Sequence, residues 1–485
     1  MLFAQAIGVA MFVHEILYVS RDGRGYLENC FVPVFGLRLN NGPHAALHVA
    51  FMSACIALAF PGNDLAVSWL CLGLLTLVIA SYSLRLSNHL VLCWFMLLGI
   101  CMDSGQGKFA AACARGLVIL TYGLAGFHKL NAEYVSTESS WASQFADFYC
   151  CDRNIRGPGL RRGFAITAIW GTLLTELALP FLLLIPATRV WGVLAGLLFH
   201  FSLALLGIVN FSAVMYAGLL AFIPEQAILE SVQRTIGMRP SLAAVVVAFA
   251  AAAWIFTPRR ANRHCPYRHR WLGWLVQIPF GMLTGFALLC WVHVLALRQA
   301  LVPPDLGAGR IALLWGMWFV FLLNGLGPYL GIKTEFSFCM FSNLRCQPWR
   351  HLVFPAGWRV FRGWHYAEIE RIEGLPERCS ATADPATLLA IDTLSQASRL
   401  RYSPYFLREA ARRVAGREGR APRLQLRYRL NQRSHEIDSS DATAFAAWQR
   451  GWRITLFPFV LPKDPCAAHS EQGTLLGREG ERQLF

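Results

Sequence analysis

The feature that most constrains this chain is a series of long apolar segments separated by short connections. A helix needs about 20 apolar residues to cross the hydrocarbon core of a bilayer. Such segments recur up to about residue 328, near residues 3–19, 43–60, 64–84, 89–103, 109–128, 163–185, 189–207, 210–224, 240–257, 271–297 and 309–327. They lack the alternating pattern of a membrane β-barrel, which leaves helices as the structure that satisfies the backbone in lipid. The sequence therefore predicts an all-α polytopic membrane bundle of about nine to eleven transmembrane helices.

The composition changes after residue 328, where the chain becomes rich in Arg and Glu. Apolar and polar residues alternate at 424–430 and at 452–459, as in half-buried strands, and the pattern at 404–414 is helical. We predict three regions, which are a transmembrane domain at 1–328, a small basic α+β module beside the membrane at 329–465 and a flexible C-terminus at 466–485.

The formal net charge of +15 indicates contact with a lipid bilayer and not with nucleic acid. The basic residues lie between the apolar segments and in the tail, where they anchor a membrane protein beside anionic lipid. Arg outnumbers Lys by 40 to 4, which is typical of a GC-rich bacterial genome, so we expect a bacterial plasma membrane. The loops at 20–42, 129–162 and 258–270 hold most of the arginines, and the positive-inside rule places their face in the cytoplasm.

Ionisable side chains inside apolar segments, or at their ends, are the candidate functional residues, because such groups are expensive in a membrane. They are His44, His48, His89, Lys129, Glu176 and His200. Each of them, taken alone, could instead hydrogen-bond a neighbouring helix. His44 and His48 are four residues apart and share one helix face, as metal ligands can, but the sequence has no second cluster of histidines. We therefore expect no metal.

Lys129 is the candidate with the clearest chemistry. It is one of only four lysines and it closes the apolar stretch 110–128. A lysine can give up its proton when it is desolvated, whereas a guanidinium cannot. We therefore predict that Lys129 is a general base at the rim of an apolar cavity, with His128 beside it. The alternative is a lysine at a helix end that extends its ammonium to the membrane surface.

Four motifs occur in order between residues 5 and 345. They are Ser87-Asn88-His89, the segment 122–135 (YGLAGFHKLNAEYV), the series Trp170-Gly171, Glu176, Arg189 and Phe199-His200, and the segment 336–341 (FSFCMF). In this order and spacing they resemble the vitamin K-dependent γ-carboxylases and their bacterial relatives that share the HTTM membrane domain. The family's version of the second motif is YFIAGVKKLDADWV.

The resemblance implies an enzyme whose cofactors are a reduced vitamin K or menaquinol, dioxygen and carbon dioxide. A lysine matching Lys129 deprotonates the quinol, dioxygen adds, and the strong base that results removes a proton from a substrate glutamate. Carbon dioxide captures the carbanion, the quinone leaves as its epoxide, and the histidine matching His89 supports the carboxylation. The resemblance further implies that His200, Asn88, His128 and Tyr122 bind the quinone, and that Glu176, Trp170 and Arg189 shape the site.

Departures from the family pattern limit what the resemblance implies. His128 replaces a lysine of the family, Tyr134 a tryptophan and Glu176 an aspartate, and the tail shows little likeness to the carboxylases' exoplasmic domain, where protein substrates bind. The identity of the acceptor therefore does not carry over from the family. The acceptor could be a Glu-containing peptide or protein, a different molecule, or none. The resemblance also implies that the site faces the exoplasm, whereas the arginines place it on the cytoplasmic face. We adopt the cytoplasmic face.

The candidate residues and the resemblance together predict a quinol-dependent membrane oxygenase or carboxylase. The alternative from another class is a non-catalytic HTTM protein that serves in the maturation of, or immunity to, a secreted peptide, which would keep the fold without needing Lys129. A transporter is a third hypothesis. It would need paired broken helices, and the sequence shows no internal repeat.

Overall fold

The structure is a computed structural model of the 485-residue chain. It describes residues 2–22, 37, 39–62, 65–81, 88–103, 107–257, 270–297, 306–330, 337–338, 342, 351–354, 367–375, 390–391, 394–395, 400–402, 404–415, 423–430, 433–449 and 460–462. The predicted strand at 452–459 and the predicted flexible C-terminus at 466–485 lie outside these residues, as do Ser87 and most of the 336–341 motif.

The first two-thirds of the chain are helical. The helices are α1 (Leu2–Asp22), α2 (Asn41–Ala59), α3 (Leu65–Ser81), α4 (Asn88–Cys101), α5 (Lys108–His128), α6 (Ala132–Val135), α7 (Trp141–Asp152), α8 (Pro158–Leu184), α9 (Arg189–Leu205), α10 (Val209–Leu220), α11 (Glu225–Gly237), α12 (Arg239–Phe256), α13 (Arg270–Leu297), α14 (Ala308–Gly325) and α15 (Gly327–Leu330). Each of the eleven predicted apolar segments corresponds to one of these helices, which confirms a mostly helical protein.

Six of the helices in the described residues are long and apolar enough to cross a membrane, and they make this a multi-pass membrane protein. They are Gly42–Ala59, Lys108–His128, Pro158–Leu184, Arg239–Phe256, Gly273–Leu295 and Ala308–Gly325. Four further apolar helices, α1, α3, α4 and α9, have apolar stretches of only 10–17 residues. A helix rises 1.5 Å per residue, so these stretches are shorter than the roughly 30 Å of hydrocarbon. Among the described residues, the structure thus confirms six of the nine to eleven predicted spans by length and composition.

One break interrupts the series of spans. The helices α10 and α11 would pass as a single span, but they are bent by 109° relative to each other, as in a broken span or a re-entrant loop. Counting this pair as one span gives seven. It is the one such pair in the described part of the chain, whereas a repeat-based transporter would have a counterpart in its other half.

The helix α5 lies at the centre of the bundle, where it packs against α4, α8, α10 and α14. Around it, α1 packs on α2 and α10, and α12 packs along α13. Glycines allow the closest of these crossings. A Cβ at Gly8 in α1 would lie 2.7 Å from the carbonyl oxygen of Cys55 in α2, and one at Gly281 in α13 would lie 2.6 Å from that of Phe249. Small residues at helix crossings are the usual means of close packing in membrane proteins.

The tail contains a small α+β unit with its own core. Its elements are β1 (Glu368–Glu373), β2 (Leu400–Tyr402), α16 (Pro404–Ala415), β3 (Gln425–Leu430), β4 (Arg433–Asp438), α17 (Ala442–Gln449) and β5 (Val460–Pro462). The strands β1, β3 and β4 form an antiparallel sheet, and β2 pairs with β5. The predicted helix at 404–414 and the predicted strand at 424–430 are confirmed, and Leu426 and Tyr428 point into the core while Arg427 and Arg429 face outward.

Candidate functional site

The site is built at the carboxyl end of α5. This helix is well defined at its start, where the carboxylate of Asp103 accepts hydrogen bonds from the backbone N–H groups of Gly107 (3.1 Å) and Ala110 (2.8 Å). Such a carboxylate also stabilises the positive end of the helix dipole. The helix ends at His128, and Lys129 is the first residue beyond it.

Asn131 fixes the turn that carries Lys129. Its side-chain oxygen accepts a hydrogen bond from the backbone N–H of Tyr134 (2.8 Å), which caps α6. Its amide nitrogen donates to the carbonyl oxygens of His128 (2.7 Å) and Ser342 (2.6 Å). Asn131 is fully buried and bonds through both side-chain atoms, so it holds the ends of α5 and α6 in one arrangement.

Lys129 forms an ion pair inside the protein. Its Nζ lies 2.6 Å from Oε2 of Glu176 in α8, and the two side chains are 5% and 7% exposed. The same Nζ is 3.4 Å from the carbonyl oxygen of Ala125 and 5.7 Å from the ring centre of Tyr134. Glu176 therefore faces the bundle interior and meets a donor at the end of a neighbouring helix. The alternative of a lysine that extends to the membrane surface is wrong, because the ammonium points inward to a carboxylate.

A glycine permits this contact. A Cβ at Gly126 would lie 3.0 Å from Cδ2 of Leu177, 3.1 Å from its backbone nitrogen and 3.2 Å from the carbonyl carbon of Glu176. Contacts this short are rarely tolerated, so α5 and α8 approach closely at the level of the ion pair because residue 126 has no side chain.

Lys129 and Glu176 lie in the wall of a cavity that is partly open to the outside, with about 740 Å³ of empty space when the open part is included. Its polar lining residues are Asn88, Thr121, Lys129, Tyr134, Thr172 and Glu176. The remaining lining is apolar and includes Phe145, Leu206, Phe211 and Phe338. An apolar pocket with a few convergent polar groups is the usual form of a small-molecule site.

His89 and His200 do not line this cavity but lie behind Phe211, which does. The ring centres of His89 and Phe211 are 6.1 Å apart, and those of His200 and Phe211 are 5.3 Å apart. Nε2 of His200 is 2.7 Å from the hydroxyl of Tyr122. Neither ring nitrogen of His89, which is 1% exposed, has a hydrogen-bond partner in the described part of the chain.

His128 connects the end of α5 to the segment after α14. Its Nδ1 lies 2.9 Å from the hydroxyl of Tyr329, and its Nε2 lies 2.8 Å from the carbonyl oxygen of Ser337. The same tyrosine hydroxyl is 3.3 Å from Nε2 of His351, whose pKa is lowered by burial. His128 and Tyr122 were expected to contact a quinone, but both lie outside the cavity lining and bond to other parts of the bundle.

Two of the residues expected to shape the site lie away from it. Trp170 is 46% exposed on the outer face of α8, where it has no access to the cavity. Arg189 donates to the carbonyl oxygens of Leu183 (2.9 Å) and Leu184 (3.2 Å), and so caps the carboxyl end of α8. Of the predicted cofactor-binding residues, Asn88 lines the cavity, and its side-chain oxygen accepts from the backbone N–H of Phe338 at 3.0 Å.

A second polar cluster, which was not predicted, is formed by His14 and Glu15 of α1 with the histidines of α2. Glu15 lies 2.7 Å from His48 and 3.2 Å from His14. A signal was present, since a carboxylate within an apolar helix is expensive in a membrane. Among the described residues, no group of three or more His, Cys, Asp or Glu is arranged to hold a metal ion.

Comparisons with protein-family models, with curated proteins and with solved structures find no match to this chain. The resemblance to the γ-carboxylases therefore rests on the four short motifs.

Proposed function

We propose that this chain is a membrane-embedded, vitamin K-dependent carboxylase-like enzyme. It would couple the oxygenation of a reduced quinone to removal of a proton from an acceptor, with or without carboxylation of that acceptor. The observation that carries the proposal is the buried ion pair of Lys129 and Glu176 in the wall of a largely apolar cavity. A buried ionisable group with a specific charge partner in a cleft is a candidate for catalysis.

The cavity suits a lipid-soluble aromatic ring. Phe145, Leu206 and Phe211 offer apolar surface, while Asn88 and Thr172 can hydrogen-bond ring oxygens. When bound, a reduced naphthoquinone supplies an acidic hydroxyl and an electron-rich ring that reacts with dioxygen. The same apolar walls keep water from a strong base, which is a requirement of this chemistry.

Glu176 explains how Lys129 can act as a base although it has a counter-ion. The pair holds one proton in two ways, as ammonium and carboxylate or as amine and carboxylic acid. Removing both side chains from water penalises the charged form, so the neutral form comes closer in energy than it would in solution. In the neutral form the amine at Nζ accepts a proton from a bound hydroxyl while Glu176 retains its own, and the new ammonium stabilises negative charge in the cavity.

The experiment is to incubate the purified protein with menaquinol and oxygen and to measure quinone epoxide. Lys129→Arg keeps a cation beside Glu176 but cannot release its proton, so we expect epoxide formation to fall by about 100-fold or more. Lys108→Arg is the matched control, because Lys108 is exposed at the opposite end of the same helix. That variant should keep the wild-type rate.

Two results would overturn the proposal. An active Lys129→Arg enzyme would remove the lysine from the mechanism. No epoxide from the wild-type protein would favour the non-catalytic alternative, a membrane factor for the maturation of, or immunity to, a secreted peptide. Thermal unfolding of each variant in the same detergent separates a lost activity from a lost fold.

A further inference from the structure

A cluster of buried ionisable side chains lies where α1, α2 and α4 meet, and His89 is the one member with a part in the proposed reaction. At its centre the carboxylate of Glu15 lies between two imidazoles. Oε2 is 2.7 Å from Nδ1 of His48, and Oε1 is 3.2 Å from Nδ1 of His14. All three side chains are fully buried.

The cluster extends in both directions from this centre. The ring centres of His48 and His44 are 4.6 Å apart at an interplanar angle of 71°, and those of His14 and His89 are 4.5 Å apart at 69°. At these separations the edge of one ring touches the face of the other, so rotation of a ring brings a nitrogen toward its neighbour. The five residues are therefore neighbours in the order His44, His48, Glu15, His14, His89, through hydrogen bonds at Glu15 and ring contacts at both ends.

The two ends of this series lie in different surroundings. His44 is in the first turn of α2, beside the exposed residues Gly42 and Pro43, so this end is near the surface of the protein. The other end, His89, lies next to Phe211 and follows Asn88, and both of these residues line the cavity. Both ring nitrogens of His89 lack a hydrogen-bond partner in the described residues.

A purely structural role does not account for this arrangement. One imidazole suffices to neutralise a buried carboxylate, yet four histidines are buried along the series, and each buried polar group costs free energy unless it is satisfied. A metal site does not account for it either, because no cluster in the described part of the chain is arranged to hold a metal ion. Chains of His, Asp and Glu within membrane helices are typical of proton relays.

We propose that His44, His48, Glu15, His14 and His89 form a proton relay between the protein surface and the cavity. His44 passes a proton to Nε2 of His48, which releases one from Nδ1 to Oε2 of Glu15. The carboxylic acid rotates so that its protonated oxygen faces His14 and releases this proton to Nδ1 of His14, which passes one from Nε2 to His89. Every group returns to its starting charge after one proton has passed.

The relay does not depend on the quinol reaction, because it serves any chemistry that exchanges a proton in the cavity. The other titratable side chains buried in α1 to α4, among those that the structure describes, are the thiols of Cys55, Cys71, Cys93 and Cys101. None of them interrupts the series from His44 to His89.

The test follows proton arrival directly, with no quinone present. The protein in lipid nanodiscs is given a rapid acid pulse by photolysis of a caged proton, and time-resolved infrared spectroscopy records the response. The signal of the cluster is the part of the difference spectrum that Glu15→Gln removes. If Glu15→Gln does not fold, His48→Gln defines the signal instead.

We expect His44→Phe to slow this signal by about tenfold or more, since the ring keeps its shape but offers no nitrogen to carry a proton. His293→Phe is the matched control, because His293 lies in α13, outside the cluster, and this variant should respond like the wild type. A wild-type rate in His44→Phe, or a wild-type spectrum that Glu15→Gln leaves unchanged, would overturn the relay. If the cluster is only structural, His44→Phe should keep the wild-type rate and have a lower melting temperature than the wild type.

Discussion

The membrane bundle and the C-terminal unit contain ion pairs of nearly equal length in opposite surroundings. In the bundle, Nζ of Lys129 and Oε2 of Glu176 are 2.6 Å apart, and their side chains are 5% and 7% exposed. On the outer face of the sheet, Nη2 of Arg427 and Oε2 of Glu436 are 2.7 Å apart, and their side chains are 49% and 63% exposed. The distances alone would give the two pairs equal weight.

Their surroundings give them different consequences. Water and salt screen the exposed pair, so losing one partner leaves a charge that solvent stabilises. Losing one partner of the buried pair leaves a charge in a medium that stabilises it poorly. The proposed role of Lys129 as a base depends on this difference in surroundings.

The largest expected effect comes from removing one member of the buried pair. Lys129→Met keeps a linear side chain of similar length but leaves Glu176 without its cation. We expect the free energy of unfolding to fall by about 3–5 kcal/mol, measured by thermal unfolding in a single detergent. The double variant Lys129→Met/Glu176→Leu should recover most of the loss, because replacing a buried pair by apolar groups is close to neutral. A single variant as stable as the wild type would show that the pair is solvated.

A smaller effect is expected from separating α5 and α8 without changing any charge. Gly126→Ala places a Cβ about 3 Å from Leu177, and we expect a loss of about 1–3 kcal/mol from this overpacking. Gly123→Ala is the matched control on the same helix, since the nearest atom to its Cβ, on Pro180, is 3.9 Å away. That variant should be neutral or slightly stabilising, because Ala favours a helix over Gly. Equal melting temperatures of the two variants would contradict the close crossing.

The fold was largely predictable because hydropathy is a local property of the chain. Each predicted segment became a helix, and the strand β3 followed from the alternation of Leu426 and Tyr428 with arginines. The number of spans was confirmed only in part, with six described helices long and apolar enough to cross a membrane and four shorter apolar helices beside them, because apolar composition does not measure helix length. The helix α4 has 14 residues and α9 has 17, fewer than a span perpendicular to the bilayer needs.

The site was predictable only in part, because a one-dimensional pattern does not show which groups meet. Lys129 and Glu176 stood out as charges next to or within apolar segments, but their pairing depends on Gly126, whose role appears only at the helix crossing. His14 and Glu15 carried the same signal as Glu176. Trp170 was included through the family resemblance, and its outward direction follows from its position on α8, which the motif did not convey.

The smallest expected effect lies in the exposed sheet and depends on pH. The carboxylate of Asp438 accepts hydrogen bonds from the Arg423 guanidinium and from the backbone N–H of Ser440, and these hold the pKa of Asp438 well below its usual range. A carboxyl group whose folded pKa is depressed stabilises the folded state fully above its unfolded pKa. That stabilisation is lost as the pH falls toward the folded pKa.

Asp438→Asn should therefore raise amide hydrogen exchange in β3 and β4 at neutral pH, with little difference from the wild type in strong acid, where the aspartate is also protonated. The measurement is exchange in the full-length protein, followed by mass spectrometry and corrected for the intrinsic effect of pH. Arg427→Gln is the control, since its pair with Glu436 is exposed to solvent, and it should leave the exchange of the same strands unchanged. If the two variants behaved alike, the hydrogen bonds from Arg423 and Ser440 to Asp438 would contribute no more to stability than the exposed pair of Arg427 and Glu436. Burial would then be the one difference between the ion pairs of the bundle and those of the C-terminal unit.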